Sequence, residues 1–337
     1  MSTSMNIGQT AGIAAPRAWR LGAQHKPLAA TIALFAVMAS FGSFSYTGFF
    51  SAQVFLNLLI DNAFLIIVAV GMTFVILAGG IDLSVGSMVA LSTMVCASLV
   101  EHRHWNIYLA MGLALAMGTL FGAFMGWLIQ RFRLQPFIVT LAGMFMARGL
   151  CYLISIDSIS ITEADYTALA QTRVPLWGDQ AALSLSAILA LGVLAVAVFV
   201  NHFTEFGRTV YAIGGNEQSA MLMGLPVART TVLIYALSGF CSALGGVVFT
   251  FYTLSGYGLH AIGLELDAIA AVVIGGTLLS GGAGFVVGSL FGVLTLGIIQ
   301  SLITFDGSLS SWWTRIVIGV LLFVFCLLQR MFESKHP

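Results

Sequence analysis

Charge is what this sequence lacks most. Only 8% of its 337 residues are Asp, Glu, Lys or Arg, against roughly 25% in soluble domains. With 59% hydrophobic residues and a mean hydropathy of +1.01, that shortage excludes a water-soluble fold. The 13 basic and 13 acidic residues cancel, so there is no electrostatic footprint for nucleic acid and no strongly charged ligand is implied. Cysteine is scarce too. Cys96, Cys151, Cys241 and Cys326 stand singly in apolar stretches. They have no metal-ligand or paired spacing, and they read as buried structural thiols. No glycine cluster is followed by the lysine of a phosphate loop, and no H-E-x-x-H run occurs. His102, His104, His202 and His260 fall at expected loops or interfaces, and no nucleophile sits beside a base. A membrane enzyme is therefore disfavoured, with no catalytic or metal site expected. The series of intramembrane carboxylates and histidines found in many proton-coupled pumps is missing as well. No small-residue cleavage site follows Arg17, Arg20 and Lys26, so the first apolar run reads as a retained span.

What the sequence has in abundance is long apolar runs. A helical span needs about 20 mostly apolar residues. By that measure ten are expected, at 28–48, 55–77, 83–100, 106–130, 136–155, 183–201, 231–252, 263–278, 284–304 and 312–330. The expected fold is all-α and polytopic: a tail at 1–27, one transmembrane domain at 28–330 and a tail at 331–337. Lys and Arg favour the cytoplasmic side. If the chain starts inside, Arg17, Arg20, Lys26, Arg131, Arg133, Arg208, Arg229, Arg330 and Lys335 all lie inside, nine of the 13 basic residues. Glu101, Asp157, Glu163, Asp165, Asp179 and Asp306 lie outside. Both termini are thus expected in the cytoplasm. Trp105, Trp312 and Trp313 mark outer interfaces, and Trp19 and Trp127 inner ones. The segment 156–182 is too polar for membrane and belongs outside. Gly118, Gly122 and Gly126, and again Gly284, Gly288 and Gly292, recur at every fourth residue, which lets another helix approach closely. Tight packing explains both ladders; pairing of the two helices with each other, or across a dimer, is the alternative. The runs VAVGMTFVILAGGIDLSVG and AAVVIGGTLLSGGAGFVVG hint at an internal repeat.

Thr204–Thr230 is the long polar interruption, expected inside. The doublet Gly214-Gly215 favours a turn, and Pro226 favours a helix boundary. Between them a short helix is expected from around Glu217 to Met223. It is read as a docking element for a separate, energy-supplying protein.

Several polar residues fall within the expected spans, where a carboxylate at the bilayer centre costs about 2.5–3.5 kcal/mol. Asn57, Asp61 and Asn62 are spaced close to one face of the second span, with Thr73 on roughly the same side. That pattern suits a water-filled path. Arg148 needs a partner, and Asp61 is a candidate on charge; a structural ion pair and a substrate contact stand as equal readings. Asp82 is expected near an inner helix end, either as an N-cap of the third span or in transport. Glu265 and Asp267 open the eighth span, where acids favour the helix dipole; a gate or sugar contact is the other reading.

Four ordered stretches carry a resemblance: VGMTFVILAGGIDLSVGSMVAL, LAGMFMARGL, GRTVYAIGGNEQSAMLMGLPV and LDAIAAVVIGGTLLSGGAG. Together they resemble the permease subunits of bacterial ribose-type ABC importers for monosaccharides, from about residue 50 to residue 330. LLIDNAF at 58–64 and ITFDGSLSSWW at 303–313 are similar to the galactofuranose permeases of that family. The resemblance implies a multi-pass inner-membrane subunit, surrounded by membrane lipid and forming a sugar path with a second permease, here a homologous chain. It implies two cytoplasmic ATPase subunits that hold ATP and Mg, this chain binding no cofactor, and a periplasmic sugar-binding protein. The segment Gly214, Gly215, Asn216, Glu217, Ser219, Ala220, Met221, Leu222, Gly224 and Leu225 would be the coupling helix and its flanks. A stand-alone secondary transporter or channel for a small polar solute is the alternative from another class.

Overall fold

The computed structural model describes residues 26–49, 51–175, 182–307, 310 and 312–333. Arg17, Trp19, Arg20, Asp179 and Lys335, used above to assign sides, lie outside the described residues.

The order is α1 (Lys26–Ser45), α2 (Ala52–Asp61), α3 (Ala63–Leu77), α4 (Val85–Ala97) with a π turn (Ser98–His102), α5 (Ile107–Phe132) and α6 (Pro136–Ile154). Next come β1 (Ile159–Ser160), α7 (Ala164–Ala170), β2 (Arg173–Pro175), β3 (Ala182–Ser184) and α8 (Leu185–Phe203). The chain continues through α9 (Glu205–Gly215), α10 (Glu217–Leu222), α11 (Val227–Thr253), β4 (Ser255–Gly256), α12 (Leu264–Ile274), α13 (Val286–Asp306) and α14 (Trp312–Glu333). Each of the ten apolar runs holds a helix. Among the described residues seven helices are long and apolar enough to cross a membrane, and eight if α2 and α3 count as one bent span. The eighth expected span is shorter than a crossing: α12 has 11 residues, ended by the glycines that follow it.

The centre is α3. Every residue from Leu65 to Leu77 is buried, as expected of a helix that is apolar all round. It shares one core with α4, α11, α12 and α13. By contrast α5, α6, α8 and α14 expose large apolar side chains such as Leu120, Phe145, Val196 and Phe323, the faces a bilayer would cover.

The two glycine ladders do not meet each other. A methyl on Gly122 would overlap the Tyr235 carbonyl oxygen, and one on Gly239 the Gly118 carbonyl oxygen. The first ladder is therefore the seam between α5 and α11. Gly288 and Gly292 face Gly275 and Ala271 instead, so the second seals α13 against α12. Gly284 is not part of that helix; its φ of +152° places it in the preceding turn.

The two repeat-like runs fold alike, each as a helix, a glycine-rich turn and a second helix: α3 with α4, and α12 with α13. Their turns interlock at one end of the bundle, where the Gly282 amide donates to the Leu77 carbonyl at 2.9 Å. At the opposite end, β1 pairs antiparallel with β4. Tyr166 of α7 is buried there, its hydroxyl sharing a 2.5 Å hydrogen bond with Thr250.

Candidate functional site

The first candidate region begins at a broken helix. The Asn62 side-chain amide donates to the Leu58 carbonyl at 2.9 Å, Asn62 closes α2, and α3 leaves at 56°. The single face expected for Asn57, Asp61, Asn62 and Thr73 on one straight span is thereby divided. Close packing fixes the bend, since a Cβ on Gly297 of α13 would fall 2.5 Å from the Asn62 amide nitrogen.

Around this bend lie two cavities of about 450 and 490 Å³. Both are lined by Asn62, Leu65, Asp267, Gln300 and Thr304, so they form one cleft divided at Asn62. Asn57 and Asp61 line the second part, with Asn57 accepting from Gln53 at 2.7 Å. Arg315 lines the first part, 3.9 Å from Asp267 and half-exposed. The cleft thus combines amides, hydroxyls and one loosely balanced ion pair with walls such as Tyr252 and Leu296. Such a surface orients a small polar, uncharged ligand by hydrogen bonds against apolar walls.

Four of the eight expected path residues are brought together here: Asn57, Asp61, Asn62 and Asp267. The other four are not. Thr73 is buried, donating to the Ala69 carbonyl and sharing a 2.6 Å bond with Ser289. Arg148 does not meet Asp61; it donates to the carbonyls of Gly258 and His260 at 2.6 and 2.8 Å. Backbone oxygens at a turn supply the partial negative charge that a carboxylate was expected to give.

Asp82 lies near a helix end as expected, three residues before α4, but it is not the N-cap. Ser84 occupies the cap position of α4, and Asp82 is 1% exposed. One carboxylate oxygen accepts from the Ser84 amide and hydroxyl at 2.9 and 2.6 Å, the other from Ser238 at 2.7 Å. Ser238 lies eleven residues into α11, roughly 16 Å along its axis. The carboxylate therefore ties the unwound segment after α3 to the middle of α11. Glu265 is in the first turn of α12 as expected, but packs against Gly86, with one oxygen buried and unpartnered.

Sequence reading missed Gln300, Ser301, Thr304 and Thr314 in the cleft. A signal was present: Gln300 and Thr304 are polar at i and i+4 late in an otherwise apolar run.

The second region is at the other end of the bundle. The expected short helix is there as α10, with Asn216 capping it by accepting from the Ser219 amide at 2.7 Å. The expected glycine turn is not. Gly214 and Gly215 are the last residues of α9, which Thr204 starts by capping Gly207. A helix persists through the doublet because Phe206, Val210 and Ile213 pack inward, and because a side chain at 214 has no room. A methyl there would overlap both the Leu77 carbonyl oxygen and the Gly282 amide. Tyr211 adds a polar tie, donating to the Gly284 carbonyl at 2.7 Å and accepting from Asn201 at 2.8 Å. Burial raises the Tyr211 pKa, keeping it a neutral donor. Ala220 anchors α10 on Ile213 and Val227. Leu222 and Met223 point outward at 90% and 68% exposure, and Gly224 turns the chain with φ +77°.

A long-helix bundle, a polar cleft and a short helix presenting bare apolar tips describe a membrane transport subunit. The chain belongs to the family described as the branched-chain amino acid transport system / permease component, matched over residues 54–326. It is 51% identical to the inner membrane ABC transporter permease protein YjfF of Escherichia coli K12, over 90% of this chain and 92% of that one. The fructose import permease FruG of Bifidobacterium longum is 40% identical over 93% of each chain. The ribose import permease RbsC of Haemophilus influenzae is 37% identical over 85% of this chain and 88% of its own length. This is therefore a multi-pass inner-membrane permease of the ribose-type ABC sugar importers. No solved structure matches the chain.

Proposed function

We propose that this chain forms half of the path for a monosaccharide, with galactofuranose as the substrate, received from a periplasmic binding protein. Two partner ATPases carry the ATP and Mg; this chain binds neither. The cleft around Asn62 lies at the periplasmic end, and both termini and the α10 end are cytoplasmic. That orientation is supported by the excess of Lys and Arg in the segments assigned inside. The galactofuranose assignment rests on the resemblance of LLIDNAF and ITFDGSLSSWW. A second, homologous permease completes the path.

The observation that carries this reading is α10. Leu222 and Met223, adjacent and 90% and 68% exposed on a helix anchored to the bundle at Ala220, offer apolar surface that a docked partner would cover. A pore opened by ATP responds only if the ATPase contacts differ between its states, and α10 provides a rigid point for that contact. Reconstitution tests the function. Uptake should need ATPase, binding protein and ATP together, and furanose forms should compete better than pyranose forms. Uptake persisting without any ATPase would replace this reading with a stand-alone transporter. Leu222→Asp tests α10: folding should be unchanged, because the side chain is already in solvent, while ATP hydrolysis loses its coupling to uptake. A charge at Met221, which packs on the cluster anchoring α10, should also uncouple hydrolysis from uptake, with some loss of local packing. Normal coupled uptake in both would remove α10 from this role.

A further inference from the structure

A third cavity, of about 270 Å³, lies at the α10 end, between the inner-facing ends of α3, α5, α9 and α11. None of the cleft residues line it. Its polar wall comes from four segments: Gln130 and Arg133 at the end of α5, Glu217 at the start of α10, and Thr231 and Tyr235 on α11, with Gly80 of the unwound segment beside them. Two features mark it as built for an occupant. Tyr235 is 3% exposed, and its hydroxyl is buried without a hydrogen-bond partner. It lies against Gly80, where an added Cβ would fall 2.5 Å from the oxygen. A buried hydroxyl left unmet costs about 1–3 kcal/mol; this one is closed off from the cavity itself, so a ligand recovers that cost by displacing the Gly80 segment to accept from it. Arg133 and Glu217 also face the same cavity without pairing; among the described residues the one ion pair within 4.0 Å is Arg315–Asp267. The wall thus offers donors from Gln130 and Arg133, joined by Tyr235 once Gly80 is displaced, and acceptors from Glu217, Gln130 and Thr231, with no net charge. A small neutral polyol, which both donates and accepts at every hydroxyl, matches that set. The volume, just under the range of drug-sized sites, suits one monosaccharide.

We propose that this cavity is a release-side sugar station: the monosaccharide rests here after crossing, in contact with both Glu217 of the docking helix and Gly80 of the segment tied to α11 through Asp82 and Ser238. The assignment of the sugar rests on the importer reading above; the cavity and its unmet hydroxyl do not.

Cysteine protection in the assembled transporter, in inside-out vesicles, tests it. With Cys326→Ser as background, Thr231→Cys is alkylated by a small maleimide in the presence of D-galactose, L-leucine or neither. Galactose should slow alkylation severalfold and leucine should not, and adding Tyr235→Phe should weaken the protection. A control cysteine from Glu205→Cys, exposed at the start of α9 and not lining the cavity, should be unaffected by sugar. If Thr231→Cys does not assemble, Gln130→Cys reports on the same wall. Equal alkylation with and without galactose overturns the station. So does protection by leucine alone, or protection that survives Tyr235→Phe undiminished. Labelled-sugar uptake measured in parallel separates the two readings. Uptake without protection leaves the importer and removes the station; protection without uptake leaves a polyol site and removes the importer assignment.

Discussion

The two ends of this molecule are built from opposite materials. Around Asn62 the cleft is made of side chains: amides, hydroxyls and a half-exposed ion pair. At the other end, where α9 meets the turns after α3 and α12, the closest contacts are backbone on backbone. Gly214 sits on the Leu77 carbonyl, Gly281 beside Gly79, and Gly282 beside Gly215. Side chains can be exchanged one at a time with graded effect, so the cleft has room to be tuned. Backbone packed on backbone has no such tolerance, and it transmits displacement because interiors of this density do not compress. The contrast fits a division in which one end selects the solute and the other end passes on the movement of a partner.

The sharpest way to break that contrast is to add atoms to the rigid end. Gly214→Val places its side chain on two backbone segments that cannot rotate away. Overpacking an ordinary core costs about 1–3 kcal/mol, and this site should sit at or above the top of that range. The expected result is a large fall in thermal midpoint and in the yield of monodisperse protein, with no uptake. Gly215→Ala is the internal comparison, because its own Cβ would meet nothing within 4 Å, and it should stay close to the parent in both measures. Equal behaviour of the two variants would mean that the packing at 214 is not what holds the joint.

This contrast also separates what the sequence disclosed from what it concealed. Hydropathy located ten helical runs, and Pro226 marked the boundary beyond the short helix α10, because those signals are local. The glycine doublet misled, since its purpose is a contact with Leu77, 137 positions earlier in the numbering, and spacing along the chain carries no trace of that partner. The bend at Asn62 was hidden for a related reason. An apolar run reads the same whether it is straight or broken, and the Gly297 notch that seats the amide lies on another helix. Arg148 was matched to a carboxylate because carbonyl oxygens have no letter in a sequence. For the cleft, Asn57, Asp61, Asn62 and Asp267 stood out as polar residues in apolar runs, whereas Gln300 and Thr304 were overlooked near the end of theirs.

A smaller effect should come from the tunable end. Gln300→Ala removes one neutral donor and acceptor from the cleft. A single hydrogen bond of that kind is worth about 0.5–1.5 kcal/mol, so the KM for uptake should rise roughly two- to tenfold. The thermal midpoint should stay unchanged, because the side chain is exposed in the cleft. A stability loss like that of Gly214→Val would erase the distinction between the two ends. An unchanged KM would take Gln300 out of the solute path.

The smallest effect is expected from the most conspicuous charge in the cleft. Arg315 and Asp267 are 3.9 Å apart, and their side chains are 54% and 27% exposed. A pair this long and this wet contributes about 0–1 kcal/mol, and salt screens what there is. Arg315→Gln should therefore leave stability within about 0.5 kcal/mol of the parent, and uptake of a neutral sugar should change little, since no counter-charge is needed. The informative measurement is uptake of an anionic competitor such as a uronic acid. With Arg315 present, one of the two carboxylates lining the cleft is balanced. Without it, Asp61 and Asp267 leave the mouth more negative, and the anion should compete less well than before. If Arg315→Gln instead abolishes uptake of the neutral sugar while the protein remains folded, the ion pair is part of the sugar's own binding. The cleft would then depend on fixed charge, and the picture of a tunable mouth opposite a rigid joint would have to be given up.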